Sequence, residues 1–436
     1  MSRVVVIGAG AMGLAAAYHA LKRGHQVTVL EAAPEAGGMA AHFDLGGLSI
    51  ERYYHFVCKA DQSTFDLLAE LGLSDKMRWV PTSMGYYVDG RLYPWGDPVS
   101  LLRFPKLSLI EKLRYGAMMF FSTKRSDWQS LENVSAKDWI TGWCGRAVYE
   151  RLWSPLFRLK FFEYADNISA AWIWTRFKRV GTSRRSLMQE ELGYIEGGSE
   201  TLVDALTRAI AGRGGTLRLN APVTRVETKD GRVTGVTAGG EFFAADAVIS
   251  TMPTPYVSRI VPDLPANERA RYDAIANIGV VCVVFRLKRS ITRHFWVNIV
   301  DRRFEIPGIV EFSNLRPTGD TVVYIPYYMP VTHPKFARDD AFFRAEGLGY
   351  LTLINPALRE DDVVAFHVGR LRHAQPVCPP GFAAMLPPVQ TSIAGLQIAD
   401  TCFYYPEDRG ISESVRYGQL MARAVTEPAV WEAEGR

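Results

Sequence analysis

Arg3-Val4-Val5-Val6-Ile7-Gly8-Ala9-Gly10-Ala11-Met12-Gly13-Leu14-Ala15-Ala16-Ala17 is the stretch that decides the fold. A run of β-branched residues passes into three glycines and then into an Ala/Leu-rich segment, the order of a strand, a tight turn and a helix. Gly8 suits the turn, Gly10 lets backbone approach a pyrophosphate, and Gly13 lets the helix pack on the strand. Phosphates would meet the unsatisfied N–H groups at the positive end of that helix. A second strand, His25-Gln26-Val27-Thr28-Val29-Leu30, ends in Glu31, an acid placed to accept hydrogen bonds from ribose hydroxyls. Its charge disfavours a 2′-phosphate, so NADP is not expected. Three glycines at this spacing also arise by chance. Strand, helix, second strand and terminal acid in register argue against chance and predict a dinucleotide-binding β-α-β unit.

The next residues separate the flavin from the nicotinamide dinucleotides. Glu31-Ala32-Ala33-Pro34-Glu35-Ala36-Gly37-Gly38-Met39-Ala40 resembles the E-x(5)-G-G extension of the amine oxidase, protoporphyrinogen oxidase and phytoene desaturase group of flavoproteins, an extension that NAD dehydrogenases lack. Near the other end, Gly395-Leu396-Gln397-Ile398-Ala399-Asp400-Thr401 and Tyr405-Pro406-Glu407-Asp408-Arg409-Gly410-Ile411 resemble the closing flavin motif of the same group, with Ala399 where the group carries Gly. Between them, Gly193-Tyr194-Ile195-Glu196-Gly197-Gly198 with Leu202 and Leu206 is similar to the group's helix entry, and Ala247-Val248-Ile249-Ser250-Thr251-Met252-Pro253 to its strand and turn near the flavin.

The resemblance implies an α/β protein with a Rossmann-like FAD domain and an inserted α+β substrate domain. It implies FAD contacts at Gly8, Ala9, Gly10, Ala11, Met12, Gly13, Glu31, Ala32, Gly37, Gly38, Met39, Val223, Thr251, Asp400, Gly410 and Ile411. Asp400 would lie near the ribityl-pyrophosphate, and a helix from Gly410 would begin beneath the isoalloxazine.

At 436 residues the chain has room for about two or three domains. We read residues 1–60, 191–260 and 388–436 as a discontinuous FAD domain, and 61–190 with 261–387 as the substrate domain. The first insertion is helical and aromatic, with Leu67-Leu68-Ala69-Glu70-Leu71 as a short amphipathic piece, and the second is β-rich. Ligands in such folds bind beyond the C-terminal strand ends, which places the reaction at the domain junction.

Five cysteines show neither C-x-x-C nor zinc spacing, so no disulfide framework and no metal site is indicated, and a reducing cytoplasm is the expected setting. No basic segment leads into a separate apolar one at the N-terminus, so no signal peptide is expected. No stretch approaches the roughly 20 uncharged apolar residues of a membrane span. A net charge of +4 does not suggest nucleic acid. The sequence does not decide the oligomeric state.

A flavin carries the redox chemistry itself, so the protein has chiefly to place a C–H or N–H against N5 and exclude water. The partners implied are a small-molecule substrate and an electron acceptor, oxygen or another, because no second G-x-G-x-x-G follows a strand. His55, in Arg52-Tyr53-Tyr54-His55-Phe56, occupies the place where the group's chain leads to the flavin's reactive face and is the candidate polar group there; a buried structural histidine is the other reading. Residues 149–177 concentrate aromatics, among them Trp153 and Trp172, interleaved with Arg158 and Lys160; they form either a cavity wall or core. Arg176, Lys178, Arg179, Arg184 and Arg185 follow, either to hold a carboxylate or phosphate, Arg176 foremost, or as a solvated basic face. Arg103, Lys106, Lys112, Arg114, Lys124 and Arg125 bracket Ala117-Met118-Met119-Phe120-Phe121. We read that segment as a buried helix with polar ends; peripheral contact with an anionic membrane is the alternative.

Three functions fit these features. The first is an FAD-dependent oxidoreductase that abstracts a hydride from an apolar or amine-bearing molecule, by desaturation or amine oxidation. The second is a redox-neutral flavoenzyme similar to UDP-galactopyranose mutase. The third is a non-catalytic carrier similar to Rab GDP-dissociation inhibitors, against which the intact glycines and Glu31 count.

Overall fold

The computed structural model describes residues 1–434. A five-stranded parallel sheet carries the dinucleotide unit, in the order Thr216–Arg218, Gln26–Leu30, Arg3–Ile7, Ala247–Ser250, Leu396–Ile398. Val4, Val5 and Val6 are all buried: the Ala11–Lys22 helix packs on the sheet, and Arg232–Ala238, the middle strand of a three-stranded antiparallel sheet, meets Ala247–Ser250, which explains the unbroken apolar run. Ile7 is level with Leu30 on one side and Ser250 on the other, and Ser250 is level with Ile398. The strand ends therefore finish on one line, above which Gly8, Glu31, Thr251 and Ala399 follow.

The Ala11–Lys22 helix leaves the glycine turn and packs against Ser199–Gly212 and Ile411–Ala424. Its Ala15, Ala16 and Ala17 are fully buried, so backbones approach closely. At the crossing a Cβ on Gly418 would lie 2.5 Å from the Met12 carbonyl oxygen and 2.8 Å from the Ala16 nitrogen. The C-terminal helix is thereby locked onto the first.

A second, seven-stranded sheet has the order Val363–Pro376, Asn277–Leu287, Thr321–Met329, Gly308–Glu311, Trp296–Ile299, Met84–Val88, Arg91–Trp95. Its central strand, Asn277–Leu287, is buried over nearly its whole length and pairs antiparallel on both sides. All five strands of the parallel sheet fall within residues 1–60, 191–260 and 388–436, and all seven of the second within 61–190 and 261–387. The expected boundary at 190/191 cuts an element: Gln189–Ile195 is one strand, paired along its length with Met77–Thr82.

The first insertion folds mainly as helices, among them Gln62–Glu70, Leu109–Lys124, Ser154–Phe161 and Ala170–Thr182, with Leu67 and Leu68 buried as the amphipathic pattern implies. The buried-helix reading of residues 117–121 does not hold. Leu109–Lys124 turns only Tyr115, Met118 and Ser122 fully inward, while Phe120 and Phe121 are 56% and 55% exposed, alongside Ile110 at 71% and Leu113 at 61%. Among the described residues no helix is long and apolar enough to cross a membrane.

Candidate functional site

The glycine turn is built by constraints that only glycine meets. Gly8 has φ +98°, its N–H donates to the Leu30 carbonyl at 2.8 Å, and an added Cβ would lie 2.7 Å from Thr251 Oγ1. A Cβ on Gly13 would land on the Gly8 carbonyl oxygen. Gly10 is different: nothing of the protein lies within 4 Å of where its Cβ would be. The space in front of it is open at the start of the Ala11–Lys22 helix, where free N–H groups and the helix dipole favour an anion.

The Gly37-Gly38 pair closes over this turn. The Gly37 N–H donates to the Ala9 carbonyl at 2.8 Å, and Gly38, at φ +57°, would set a Cβ 3.1 Å from the Gly10 Cα. Glu31 sits between the two loops. Its Oε2 accepts from the Ala9 N–H at 2.7 Å and its Oε1 from the Ala33 N–H at 2.8 Å. Ionised carboxylate oxygens accept two bonds each, so acceptor capacity remains for ribose hydroxyls.

From the other end of the chain, Asp400 reaches the same line of strand ends. Its Oδ2 accepts from the Thr254 N–H at 2.6 Å and its Oδ1 from the Cys402 N–H at 2.8 Å, so the acid pins together the turns that follow two adjacent strands. Gly410 then precedes Ile411–Ala424, whose N-terminus opens on the same space.

That space is one cavity of about 1240 Å³. It starts at Gly8, Gly10, Glu31, Gly37, Gly38 and Met39, passes His55, and ends among aromatic residues of the first insertion. Ala11, Met12, Ala32, Val223, Thr251, Asp400, Gly410 and Ile411 also line it. Ala9 and Gly13 do not; they stand behind it, the first holding Glu31 and Gly37, the second making room for the turn. Drug-sized ligands occupy cavities of about 300–1000 Å³, so this one is larger than a single such ligand needs.

His55 borders the cavity, and its buried Nδ1 has no hydrogen-bond partner. Burial pushes its pKa down to about 4, against the pull of Glu51, so the ring is neutral near pH 7. The aromatic segment divides. Trp153, Phe157, Phe161, Trp172 and Phe177 face the cavity, whereas Trp174 is core, its Nε1 donating to the Ser122 carbonyl at 3.0 Å. Wall and core are not exclusive here: Trp172 is only 3% exposed yet lines the cavity.

The basic cluster divides as well. Arg179 is tied to Asp61 by two bonds of 3.1 and 2.7 Å. Arg184 donates to the Gly96 carbonyl, Lys178 lies over Trp174, Arg185 is exposed, and Arg176 stacks on the aromatic wall, its guanidinium 3.0 Å from the Trp172 ring centre and paired with Asp408. Burial pulls the Arg176 pKa down to about 10 in spite of Asp408.

Two further residues stand on the wall to which the sequence analysis gave no role of their own, Lys160 and Arg409. Lys160 is visible in the sequence only as a charge among aromatics. Arg409 lies inside the closing motif, directly before Gly410, which was the available signal.

Residues 13–345 match the family model described as flavin containing amine oxidoreductase. The matched span begins at the last glycine of the turn and stops before the closing motif. The chain is similar to a zeta-carotene desaturase of Zea mays, 26% identical over 73% of this chain and 61% of that protein, so it spans about six tenths of that relative's length. Among solved structures it resembles a protein of Exiguobacterium sp. 255-15 named provisionally as a protoporphyrinogen oxidase, with TM-score 0.75 and 20% identity over 97% of this chain and 98% of that one. It also resembles the cyclohexylamine oxidase of Brevibacterium oxydans IH-35A, with TM-score 0.72 and 18% identity over 98% and 99%. The family match favours neither the mutase-like nor the carrier reading. With that match covering most of the chain, and with a turn, an acid and a cavity suited to a flavin dinucleotide, the protein belongs to the flavin-containing amine oxidoreductases, FAD-dependent oxidoreductases of mixed α/β fold.

Proposed function

We propose that this protein oxidises an apolar or amine-bearing small molecule at the cavity between its two sheets, by desaturation or amine oxidation. The observation that carries the proposal is the single continuous cavity running from Gly10 and Glu31 past His55 to Trp153 and Trp172. FAD, when bound, supplies the hydride acceptor. Glu31 would hold its adenosine ribose, the open space at Gly10 and the Ala11 helix end its pyrophosphate, and the Gly410–Ile411 end its ring system. The aromatic wall would position the substrate and exclude water, and a misplacement of about 1 Å costs on the order of a hundredfold in rate. His55, neutral and without a partner at Nδ1, is the polar group available to a substrate N–H or a bound water. We read residues 1–60, 191–260 and 388–436 as the FAD domain and the two insertions as the substrate domain. Five buried free thiols suit a reducing cytoplasm, and oxygen or another acceptor would reoxidise the flavin.

The exposed face of Leu109–Lys124 supports peripheral contact with an anionic membrane. Ile110, Leu113, Phe120 and Phe121 point outward, Arg114 and Lys124 flank them, and Tyr115 and Met119 on the inner side line the cavity. The helix thus separates the cavity from an apolar outer face. Sedimentation with phosphatidylserine vesicles tests this: Ile110→Glu with Phe120→Glu should release the protein, and equal binding by that variant would refute the contact.

The catalytic proposal is tested by anaerobic mixing of FAD-loaded protein with long-chain polyenes and with primary amines, reading bleaching of the flavin. Bleaching by one class identifies the reaction. Purification of the native protein with FMN or without flavin would overturn the reading.

A further inference from the structure

The cavity wall carries more positive charge than its own acids neutralise. Lys160, near the end of Ser154–Phe161, holds its Nζ 5.2 Å from the Trp172 ring centre, 5.6 Å from Phe161 and 5.0 Å from Tyr328. Among the described residues it has neither a carboxylate partner nor a hydrogen-bond acceptor. Arg409 donates through Nη1 to the Ala374 carbonyl but leaves its buried Nε without a hydrogen bond. One carboxylate, Asp408, serves this corner: it pairs with Arg176, accepts the Arg409 backbone N–H at 2.7 Å and lies 3.9 Å from the Arg409 Nε. Arg179 does not add to the excess, because Asp61 neutralises it. The other nearby acid, Glu407, has its carboxyl raised by burial and by Glu413.

We propose that Lys160, Arg176 and Arg409 form an anion-binding subsite that takes the carboxylate or phosphate head of an otherwise apolar substrate, whose body lies along Trp153, Phe157 and Trp172. Buried charge is retained at little cost only when paired and hydrogen-bonded, and here Arg409 lacks a full partner within the protein and no carboxylate pairs with an ammonium at Lys160. Arg176 lies over the Trp172 ring, and a guanidinium suits a planar, two-oxygen acceptor. Burial, and after it Arg176, holds the Lys160 amine well below its ordinary range, and an arriving anion supplies the counter-charge that restores the ammonium. The assignment rests on the cavity being the substrate site of an FAD oxidoreductase and specifies which substrates enter it.

Calorimetric titration of the FAD-loaded protein with octanoate, octyl phosphate, octanol and octylamine tests the subsite. At least one anion should bind about tenfold or more tightly than octanol, with octylamine weakest, since a charge-assisted hydrogen bond accounts for at least that factor. Whichever anion prevails separates a carboxylate from a phosphate head. Lys160→Met should erase about tenfold of the preference, whereas Lys160→Arg should keep it. Equal affinity for anion and alcohol, or a preference undiminished in Lys160→Met, would overturn the subsite. If Lys160→Met does not fold, the ranking by the unaltered protein decides alone. Flavin content is counted separately: FAD-loaded protein without anion preference sinks the subsite only, and flavin-free protein sinks the oxidoreductase reading.

Discussion

Replacing Glu31 with Gln probes the adenosine end of the site at a single atom. The carboxylate already accepts two backbone N–H groups, from Ala9 at 2.7 Å and Ala33 at 2.8 Å, so only its remaining acceptor sites are left for the ribose we assign to it. Gln keeps the shape, loses the charge, and turns an NH2 toward one of those two N–H groups. A charge-assisted hydrogen bond contributes about 1.5–3 kcal/mol, and 1.4 kcal/mol is tenfold in affinity, so FAD should bind roughly 10- to 150-fold more weakly. The assay is titration of apoprotein with FAD, followed by flavin fluorescence, with FMN as control because it lacks the adenosine. FMN affinity should change far less than FAD affinity. An FAD dissociation constant within about threefold of the unaltered protein's, or an equal loss for FMN, would refute the assignment of Glu31 to the ribose.

Gly13→Ala should cost at least about 1–3 kcal/mol, because its Cβ would land on the Gly8 carbonyl; thermal unfolding reads the loss, and an unshifted midpoint refutes the close approach. Trp172→Ala should destabilise the fold by about 3–5 kcal/mol and release the Arg176 side chain that stacks on it, so chemical denaturation should show the full loss, and a smaller one would mean that the ring is only cavity lining. His55 has a folded pKa of about 4 through burial, below the roughly 6.5 of an unfolded chain. Unfolding therefore takes up a proton between those values, and stability falls as pH drops from about 6.5 toward 4. His19 and His294, also pushed down to about 4 by burial, add to this slope. His55→Phe should flatten the difference between urea midpoints at about pH 7 and pH 5, and an unchanged difference would refute the burial of His55.

The first β-α-β unit and its glycine turn were legible because both are local. Val4 to Gly13 state a strand, a turn and a helix in consecutive residues, and Glu31 follows its strand directly. The flanking basic residues around 117–121 gave no such guidance. A helix with one apolar face reads alike whether that face meets core or solvent, and only the packing of Leu109–Lys124 shows Phe120 and Phe121 outside. Trp153, Trp172 and Arg176 were legible as a composition, an aromatic stretch running into cations, but not as a geometry. Partners drawn from distant segments separate Arg176, which meets Asp408, from Arg179, which meets Asp61. Lys160 was hidden for the same reason: a lysine without a partner is defined by what fails to arrive from elsewhere in the chain.

The order of the parallel sheet has a consequence for synthesis. Its first strand is anchored by residues far away, Arg3 meeting Asp246 across 243 positions, and the turn after Ala247–Ser250 is pinned by Asp400, 146 positions beyond Thr254. At roughly 5–20 residues per second, translation from Arg3 to Leu396 takes on the order of 20–80 s. Until then Ala247–Ser250 lacks its outer neighbour and Ala11–Lys22 lacks the helix that locks at Gly418. Contacts this distant raise the contact order and slow folding, and they leave an apolar strand edge open to wrong partners. The cofactor cannot shorten this wait, because Asp400 to Ile411, which we assign to its site, is made after every other part of that site. A growing chain of this kind depends on whatever shields that edge, and early arrest of translation should leave aggregation-prone fragments that added flavin does not rescue.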